Sequence, residues 1–160
     1  MKKMKIILNN VLLILIAVAI VSCGGNDTKE GSGTDIYSGM DSKAKTRMQQ
    51  YYRIGKNLYL THCSNCHQAD GKGLGKLYPP LAKSDYLLKD PIRTACIIKN
   101  GIQGEMVVNG VTYNQPMPAH NNLTNIEIAE IITYISNSWG NKSGLHDVNT
   151  IEKAVNDCPE

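Results

Sequence analysis

The run Cys63-Ser64-Asn65-Cys66-His67 constrains this 160-residue chain more than any other feature. Two cysteines at this spacing can each form a thioether with one vinyl group of a porphyrin, and the histidine that follows can bind the iron. A redox dithiol or a zinc site could use the same thiols. However, no second Cys-x-x-Cys and no His-x-x-x-His completes a zinc tetrahedron. We therefore expect Cys63, Cys66 and His67 to hold one covalent haem c, with His67 as an iron ligand.

The N-terminus predicts export. Three lysines lie within the first five residues, and an apolar run over residues 6–21 follows them. Next, Ile20-Val21-Ser22-Cys23 and two glycines resemble a bacterial lipobox. The resemblance implies a signal peptide over residues 1–22, cleavage after Ser22 and lipid on Cys23. An uncleaved membrane anchor remains the alternative. Either reading places the folded part outside the cytoplasm, on the periplasmic side of a bacterial membrane.

The charge of the chain gives no reason to expect a nucleic-acid partner. The full sequence carries 17 basic and 14 acidic side chains, and cleavage after Ser22 would remove three lysines. The mature chain is then formally neutral, and no basic stripe remains.

Composition divides the rest of the chain into three parts. Residues 23–43 are rich in Gly, Ser, Asp, Asn and Thr, which predicts a flexible tether. Residues 44–140 are long enough for one small domain. Residues 141–160 form a C-terminal extension, in which Ile151 and Val155 lie one turn apart and predict a short helix.

Sequence patterns predict a helix at each end of the domain. Apolar residues at helical spacing predict a first helix over residues 44–62, which ends at the cysteine motif. Near the other end, Thr124 and Glu127 form a capping box that predicts a helix from Asn125 to about Trp139. Between them, the segment from Asp90 to Gly101 predicts a short middle helix, since it offers an N-cap and a C-cap.

Two further residues connect these helices to a known family. Gly55 and Tyr59 precede Cys63 by eight and four residues, and Ile131 and Tyr134 lie on the last helix. This pattern resembles class I cytochromes c, in which the first and last helices cross closely at a glycine. The resemblance implies an all-α cytochrome c fold, with three to four helices around one covalently bound haem and a small β-hairpin before an axial methionine. It also implies that a proline carbonyl accepts the Nδ1 hydrogen of the ligating histidine, and Pro80 is the matching position.

The hairpin and the sixth ligand are expected between the middle and last helices. Asn109-Gly110 lies between apolar residues, which predicts a tight β-hairpin. Met117 follows between two prolines, and we expect its thioether to be the second axial ligand. His120 is the more serious competitor. Met106 is the weaker one, because it falls in or beside the hairpin. His62 and His146 are expected at the surface.

Two cysteines remain once Cys23, Cys63 and Cys66 are assigned. In an oxidising compartment Cys96 and Cys158 are expected to form an intrachain disulfide. A buried free Cys96 with a disordered tail is the alternative.

These expectations together predict a carrier rather than an enzyme. With both axial positions filled by side chains, no small-molecule substrate can reach the iron. The expected function is therefore single-electron transfer between respiratory-chain components, with redox partner proteins at the membrane. The alternatives are a haem enzyme or gas sensor with a labile sixth site, and a cytochrome subunit of a larger oxidase or reductase.

Overall fold

Helix α1 (Ser42–His62) leads into the cysteine motif and begins two residues earlier than predicted. Its first turn is capped by Asp41, whose carboxylate accepts a 2.8 Å hydrogen bond from the Ala44 N–H. The protein is described by a computed structural model for residues 36–159. The predicted signal peptide, Cys23 and the tether up to residue 35 lie outside these described residues. Residues 36–39 form a turn, and the last two residues of the predicted tether, 42 and 43, lie in α1.

The crossing of α1 with α5 (Asn125–Ile135) organises the core. It depends on Gly55, because a Cβ atom there would lie 1.9 Å from the carbonyl oxygen of Glu130. Tyr59 of α1 and Tyr134 of α5 pack beside the crossing with ring centroids 5.4 Å apart. The predicted contact of the two helices through Gly55 and Tyr59 is therefore confirmed.

Helix α5 begins at Asn125 as predicted, with Thr124 and Glu127 forming the capping box. It ends at Ile135, four residues before the predicted end at Trp139. Trp139 adopts φ +54°, and the buried Asn141 donates to the carbonyl of Ile135. Side-chain hydrogen bonds thus satisfy the end of the helix, which the apolar pattern alone does not reveal.

The remaining elements lie between these helices and after them. Helix α4 (Arg93–Asn100) has Ile92 as its N-cap, so it begins later than the predicted cap at Asp90 implies. The Asp90 carboxylate accepts a 2.9 Å hydrogen bond from the Arg93 N–H. The predicted hairpin is present, with Met106 paired to Tyr113 and Val108 to Val111. The elements are α2 (Ser64–His67), α3 (Asp85–Lys89), α4 (Arg93–Asn100), β1 (Met106–Val108), β2 (Val111–Tyr113) and α6 (Val148–Asn156).

The C-terminal extension folds onto the domain. Helix α6 packs against α4 and α5, and its Ile151 is fully buried. Cys96 on α4 and Cys158 face each other with their Cα atoms 5.6 Å apart, a separation that a disulfide can span. His146, expected at the surface, is only 9% exposed, because the extension that carries it packs onto the domain and its backbone N–H donates to the Thr133 hydroxyl of α5.

Within residues 36–159 the chain is mostly helical, with the hairpin as its regular β structure. None of the helices in this range has the length and apolar character needed to cross a bilayer.

Candidate functional site

A cavity of about 890 Å³, part of it open to solvent, lies between α2, α4, α5 and the hairpin. Its walls are predominantly apolar, as in most cofactor pockets. All the sequence-predicted site residues are among those that line it: Cys63, Cys66, His67, Pro80 and Met117.

The single turn of α2 brings the cysteine motif to this cavity. The backbone N–H groups of Cys66 and His67 both donate to the carbonyl of Cys63, at 3.2 and 3.0 Å. Residues three and four apart share one face of a helix, so the two sulfurs and the imidazole face the same side. Neither Cys63 nor Cys66 is in a disulfide. Burial and the neighbouring Cys66 raise the pKa of the Cys63 thiol to about 12, which keeps it protonated at neutral pH.

The His67 ring is fixed from behind by a backbone carbonyl. Its Nδ1 lies 2.9 Å from the Pro79 oxygen. Because a carbonyl oxygen can only accept, Nδ1 carries the hydrogen and Nε2 keeps its lone pair. Burial lowers the pKa of His67, while the Pro79 hydrogen bond opposes that shift. A neutral imidazole with a free Nε2 is the form that binds a metal.

The hydrogen-bond acceptor is Pro79, so the assignment of this role to Pro80 is wrong by one residue. The two following N–H groups, of Leu81 and Ala82, both donate to the carbonyl of Gly71 and fix where the chain passes. Pro80 itself lines the cavity.

Met117 is held at the cavity by its main chain. Its N–H and C=O exchange two 3.0 Å hydrogen bonds with Ile102, just after α4. The approach is close, because a Cβ on Gly101 would lie 2.6 Å from the Met117 oxygen. The thioether thus belongs to a segment that is tied to the end of α4.

Of the two competitors for Met117, it is Met106 and not His120 that reaches the cavity. Met106 lines the cavity from strand β1. His120 is not among the lining residues, and its ring packs against His62 with centroids 5.9 Å apart. Its backbone N–H donates to Ile98, which sets its position outside the cavity. The hairpin directs Met106 into the cavity, which its position in the sequence did not indicate.

One residue at the site, Tyr59, has a second role beside its place in the core. Its hydroxyl donates a 2.6 Å hydrogen bond to the carbonyl of Gln68, the residue that ends α2. Tyr59 also lines the cavity. It therefore joins the first helix to the residue after His67, a contact that its helical spacing alone could not predict.

The donors at this cavity fit one covalently held haem. Two thiols and one imidazole lie on one helical turn, a thioether lies in the same cavity, and the surrounding walls are apolar. These are the groups that tether a porphyrin and ligate its iron. A zinc or calcium site would instead need three or four nitrogen, sulfur or oxygen donors converging on one point.

Comparison with known proteins agrees with this chemistry. The cytochrome c family model matches residues 52–139. Cytochrome c-552 of Thermus thermophilus is 34% identical over 90 residues, which is 54% of this chain and 68% of that protein. The cytochrome c subunit of the quinone alcohol dehydrogenase of Gluconobacter oxydans is 30% identical over 103 residues. That match covers 62% of this chain but only 21% of the subunit.

The matched segment runs from the first helix through the cysteine motif to Trp139, so it contains both the helix crossing and the cavity. This confirms the predicted fold class and the single covalent haem c. The chain belongs to the cytochrome c family of electron carriers.

Proposed function

We propose that this chain is a lipid-anchored, monohaem cytochrome c that passes single electrons between respiratory-chain proteins. The bound haem supplies an iron that gains and loses one electron without a change of ligands. The protein must hold that iron, close both of its axial positions and exclude water from it.

The observation that carries the proposal is that His67 and Met117 line one cavity. In the proposed site, Cys63 and Cys66 form the two thioethers, His67 ligates through Nε2 and Met117 through its sulfur. Nδ1 of His67 keeps its hydrogen on the Pro79 oxygen, and this fixes the ring plane and makes Nε2 a stronger donor. Two protein ligands leave no position for a substrate, so the chain acts as a carrier and not as a catalyst.

The apolar side chains around the site have their own effect on electron transfer. They exclude water, and a less polar surrounding disfavours the more highly charged oxidised state. A soft thioether ligand raises the reduction potential in the same direction. The chain is therefore suited to accept electrons from a donor of lower potential.

A partner at the membrane is part of the proposal. The dehydrogenase relative is named as a cytochrome c subunit, which favours a second candidate function in which this chain serves within a larger oxidoreductase. Close to the cavity, Leu74 and Leu77 are 51% and 46% exposed in the loop that leads to Tyr78. Such exposed apolar residues are suited to a brief contact of small area.

The anchor and the disulfide complete the proposal. Lipid on Cys23 would hold the domain on the outer side of the membrane after removal of residues 1–22. A Cys96–Cys158 disulfide, which the 5.6 Å separation of the two Cα atoms allows, would require the same oxidising compartment. Mass spectrometry of the mature N-terminus tests the anchor. An acylated Cys23 is expected, and release of a Cys23→Ser variant into the soluble fraction is the matched control.

Carbon monoxide binding separates a carrier from an enzyme or sensor. The reduced, haem-loaded wild type should not bind the gas at neutral pH, because both axial positions are filled. The Met117→Ala variant, in which the thioether is gone, should bind it. Ready binding by the wild type, or rapid turnover of peroxide, would contradict the proposed carrier and favour a labile sixth site.

A further inference from the structure

The Pro79 carbonyl, which accepts the hydrogen bond from His67, lies between two prolines that cannot donate backbone hydrogen bonds. Pro80 has no N–H, and so the peptide that contains the Pro79 oxygen cannot donate a hydrogen bond. The place of that oxygen therefore depends on the residues that follow it, Leu81 to Lys83. Their N–H groups and carbonyls must be bound elsewhere if the oxygen is to stay 2.9 Å from the imidazole.

Two anchors hold this following segment. On one side, Leu81 and Ala82 donate to the Gly71 carbonyl at 2.7 and 2.9 Å. On the other side, the side chain of Asn141 accepts from the Lys83 N–H at 2.8 Å and donates to the Leu81 carbonyl at 2.9 Å. A planar amide thus clamps the chain two and four residues after Pro79.

Asn141 is well fixed for such a role. It is 1% exposed, and its amide also donates a 2.8 Å hydrogen bond to the Ile135 carbonyl at the end of α5. Lys83, which it holds, adopts φ +52°, a conformation that a non-glycine residue keeps only when its surroundings impose it. Asn141 lies two residues beyond the segment matched by the family model, so the match does not account for it.

We propose that Asn141 is a positioning residue for His67. It acts through the Leu81–Lys83 segment to keep the Pro79 carbonyl on Nδ1 of the imidazole, and so sets the donor strength of Nε2. The proposal rests on the function proposed above, in which His67 is the fifth ligand of the iron.

The chain offers a matched control. Asn137 is also buried, at 6% exposure, and its side chain also bridges α5 to a following loop. It donates to the Thr133 and Gly144 carbonyls, at 2.8 and 2.7 Å, and accepts from the N–H groups of Ser143 and Gly144. None of these partners leads to Pro79. Replacement of either asparagine removes a similar set of hydrogen bonds, but only Asn141 connects to His67.

The test compares Asn141→Ser and Asn137→Ser in the haem-loaded, oxidised protein. The exchange rate of the His67 Nδ1 hydrogen is measured by NMR, in which the iron shifts its signal away from the bulk. We expect exchange to become about tenfold faster in Asn141→Ser and to stay unchanged in Asn137→Ser. The reduction potential should rise only in Asn141→Ser, since a weaker hydrogen bond from Nδ1 makes Nε2 a poorer donor. A general loss of stability would move both variants alike.

Equal exchange rates and equal potentials in the two variants would overturn the positioning role while leaving the ligand assignment intact. A wild type without any iron-shifted histidine N–H signal would contradict His67 ligation itself, and with it this proposal. If Asn141→Ser does not fold, Asn141→Asp serves for the exchange measurement. It has nearly the same volume and keeps the acceptor for Lys83, but it loses both donors.

Discussion

The two sides of the cavity hold their candidate iron ligands in different ways. On one side, the His67 ring itself is hydrogen-bonded, with Nδ1 on the Pro79 oxygen at 2.9 Å. On the other side, Met117 is held only through its main chain, by the two hydrogen bonds with Ile102. Within residues 36–159 its thioether has no hydrogen-bond partner. The histidine ring is thus oriented by a hydrogen bond of its own, whereas the methionine side chain is positioned through its main chain.

This difference shows which parts of the chain control each ligand. The histidine side depends on the loop after α2 and on Asn141, whose side chain is hydrogen-bonded to the end of α5. The methionine side depends on α4, because Ile102 follows that helix directly and His120 donates to Ile98 within it. Changes to α4 and to its support should therefore loosen Met117 before His67.

Removal of the Cys96–Cys158 bridge should have the largest effect on stability. Closing a loop between residues 62 apart stabilises a fold by about 4 kcal/mol in the chain-entropy model. Cys158→Ser should lower the free energy of unfolding by about that amount, as measured by chemical denaturation. Since α6 supports α4, the sulfur-to-iron absorption band should weaken before the haem loses its histidine ligand.

Cys96→Ser and the double variant serve as controls, and both should equal Cys158→Ser because one bond is lost in each. A wild type whose stability does not change under a reducing agent would show that the two cysteines are not bonded.

Gly55→Ala should affect both sides of the cavity together. A methyl group there would meet the Glu130 carbonyl at 1.9 Å, so α1 and α5 must separate. Such overpacking should cost about 3 kcal/mol of unfolding free energy. Arg53→Ala on the exposed face of the same helix should change it by less than about 0.5 kcal/mol. A Gly55→Ala variant as stable as Arg53→Ala would contradict the close crossing.

Replacing two other glycines with alanine should affect the histidine side and the methionine side of the cavity one at a time. A Cβ on Gly73 would lie 2.6 Å from the Pro79 oxygen, and one on Gly101 would lie 2.6 Å from the Met117 oxygen. Gly73→Ala should therefore speed exchange of the His67 Nδ1 hydrogen, while Gly101→Ala should weaken the sulfur-to-iron band. Each change should also cost about 2 kcal/mol in stability.

Gly104 provides the matched control for these two variants. It also has positive φ, at +90°, but a Cβ there meets nothing within 4 Å. Gly104→Ala should therefore lose stability through backbone strain, but it should change neither the exchange of the His67 Nδ1 hydrogen nor the sulfur-to-iron band. Loss of the sulfur band in Gly104→Ala would mean that strain alone disturbs Met117.

Lowering the pH should produce the smallest change in the free energy of unfolding. This change should not distinguish the histidine side of the cavity from the methionine side. His146 is buried beside Thr133 of α5, its Nε2 has no hydrogen-bond partner within residues 36–159, and burial lowers its pKa. The unfolded chain takes up the proton near pH 6.5 but the folded chain only at lower pH. The free energy of unfolding should therefore fall as the pH drops below 6.5, by at most about 1.4 kcal/mol per pH unit for this group.

Denaturation of the wild type and of His146→Leu across pH 5 to 8 checks this expectation. The free energy of unfolding of His146→Leu should depend less steeply on pH than that of the wild type. An identical pH dependence would show that His146 is not the group responsible.

Local patterns predicted much of this structure because the interactions behind them are local. The cysteine motif needs only one helical turn. The capping box of Thr124 and Glu127, and the turn of the hairpin at Asn109-Gly110, each lie within four consecutive residues. The crossing at Gly55 was predictable only through the family resemblance, since its partner Glu130 is 75 positions away along the chain.

The errors all concern the path of the chain in space. Pro79 and Pro80 are equivalent in sequence, and the hydrogen bonds to Gly71 select between them. Met106 enters the cavity because the hairpin folds inward, while His120 turns toward His62. His146 is buried because the C-terminal extension, of which it is part, packs onto the domain. None of these outcomes has a signal in the neighbouring residues.

The central claim is that His67 and Met117 close both axial positions, and one optical spectrum tests it most directly. The oxidised, haem-loaded wild type is scanned for the weak sulfur-to-iron band near the red edge, beside Met117→Leu and Met106→Leu. Both methionines line the cavity, so each variant is the control for the other. The account predicts the band in the wild type and in Met106→Leu, and its loss in Met117→Leu. A band that survives in Met117→Leu, or that is missing from the wild type, would contradict it.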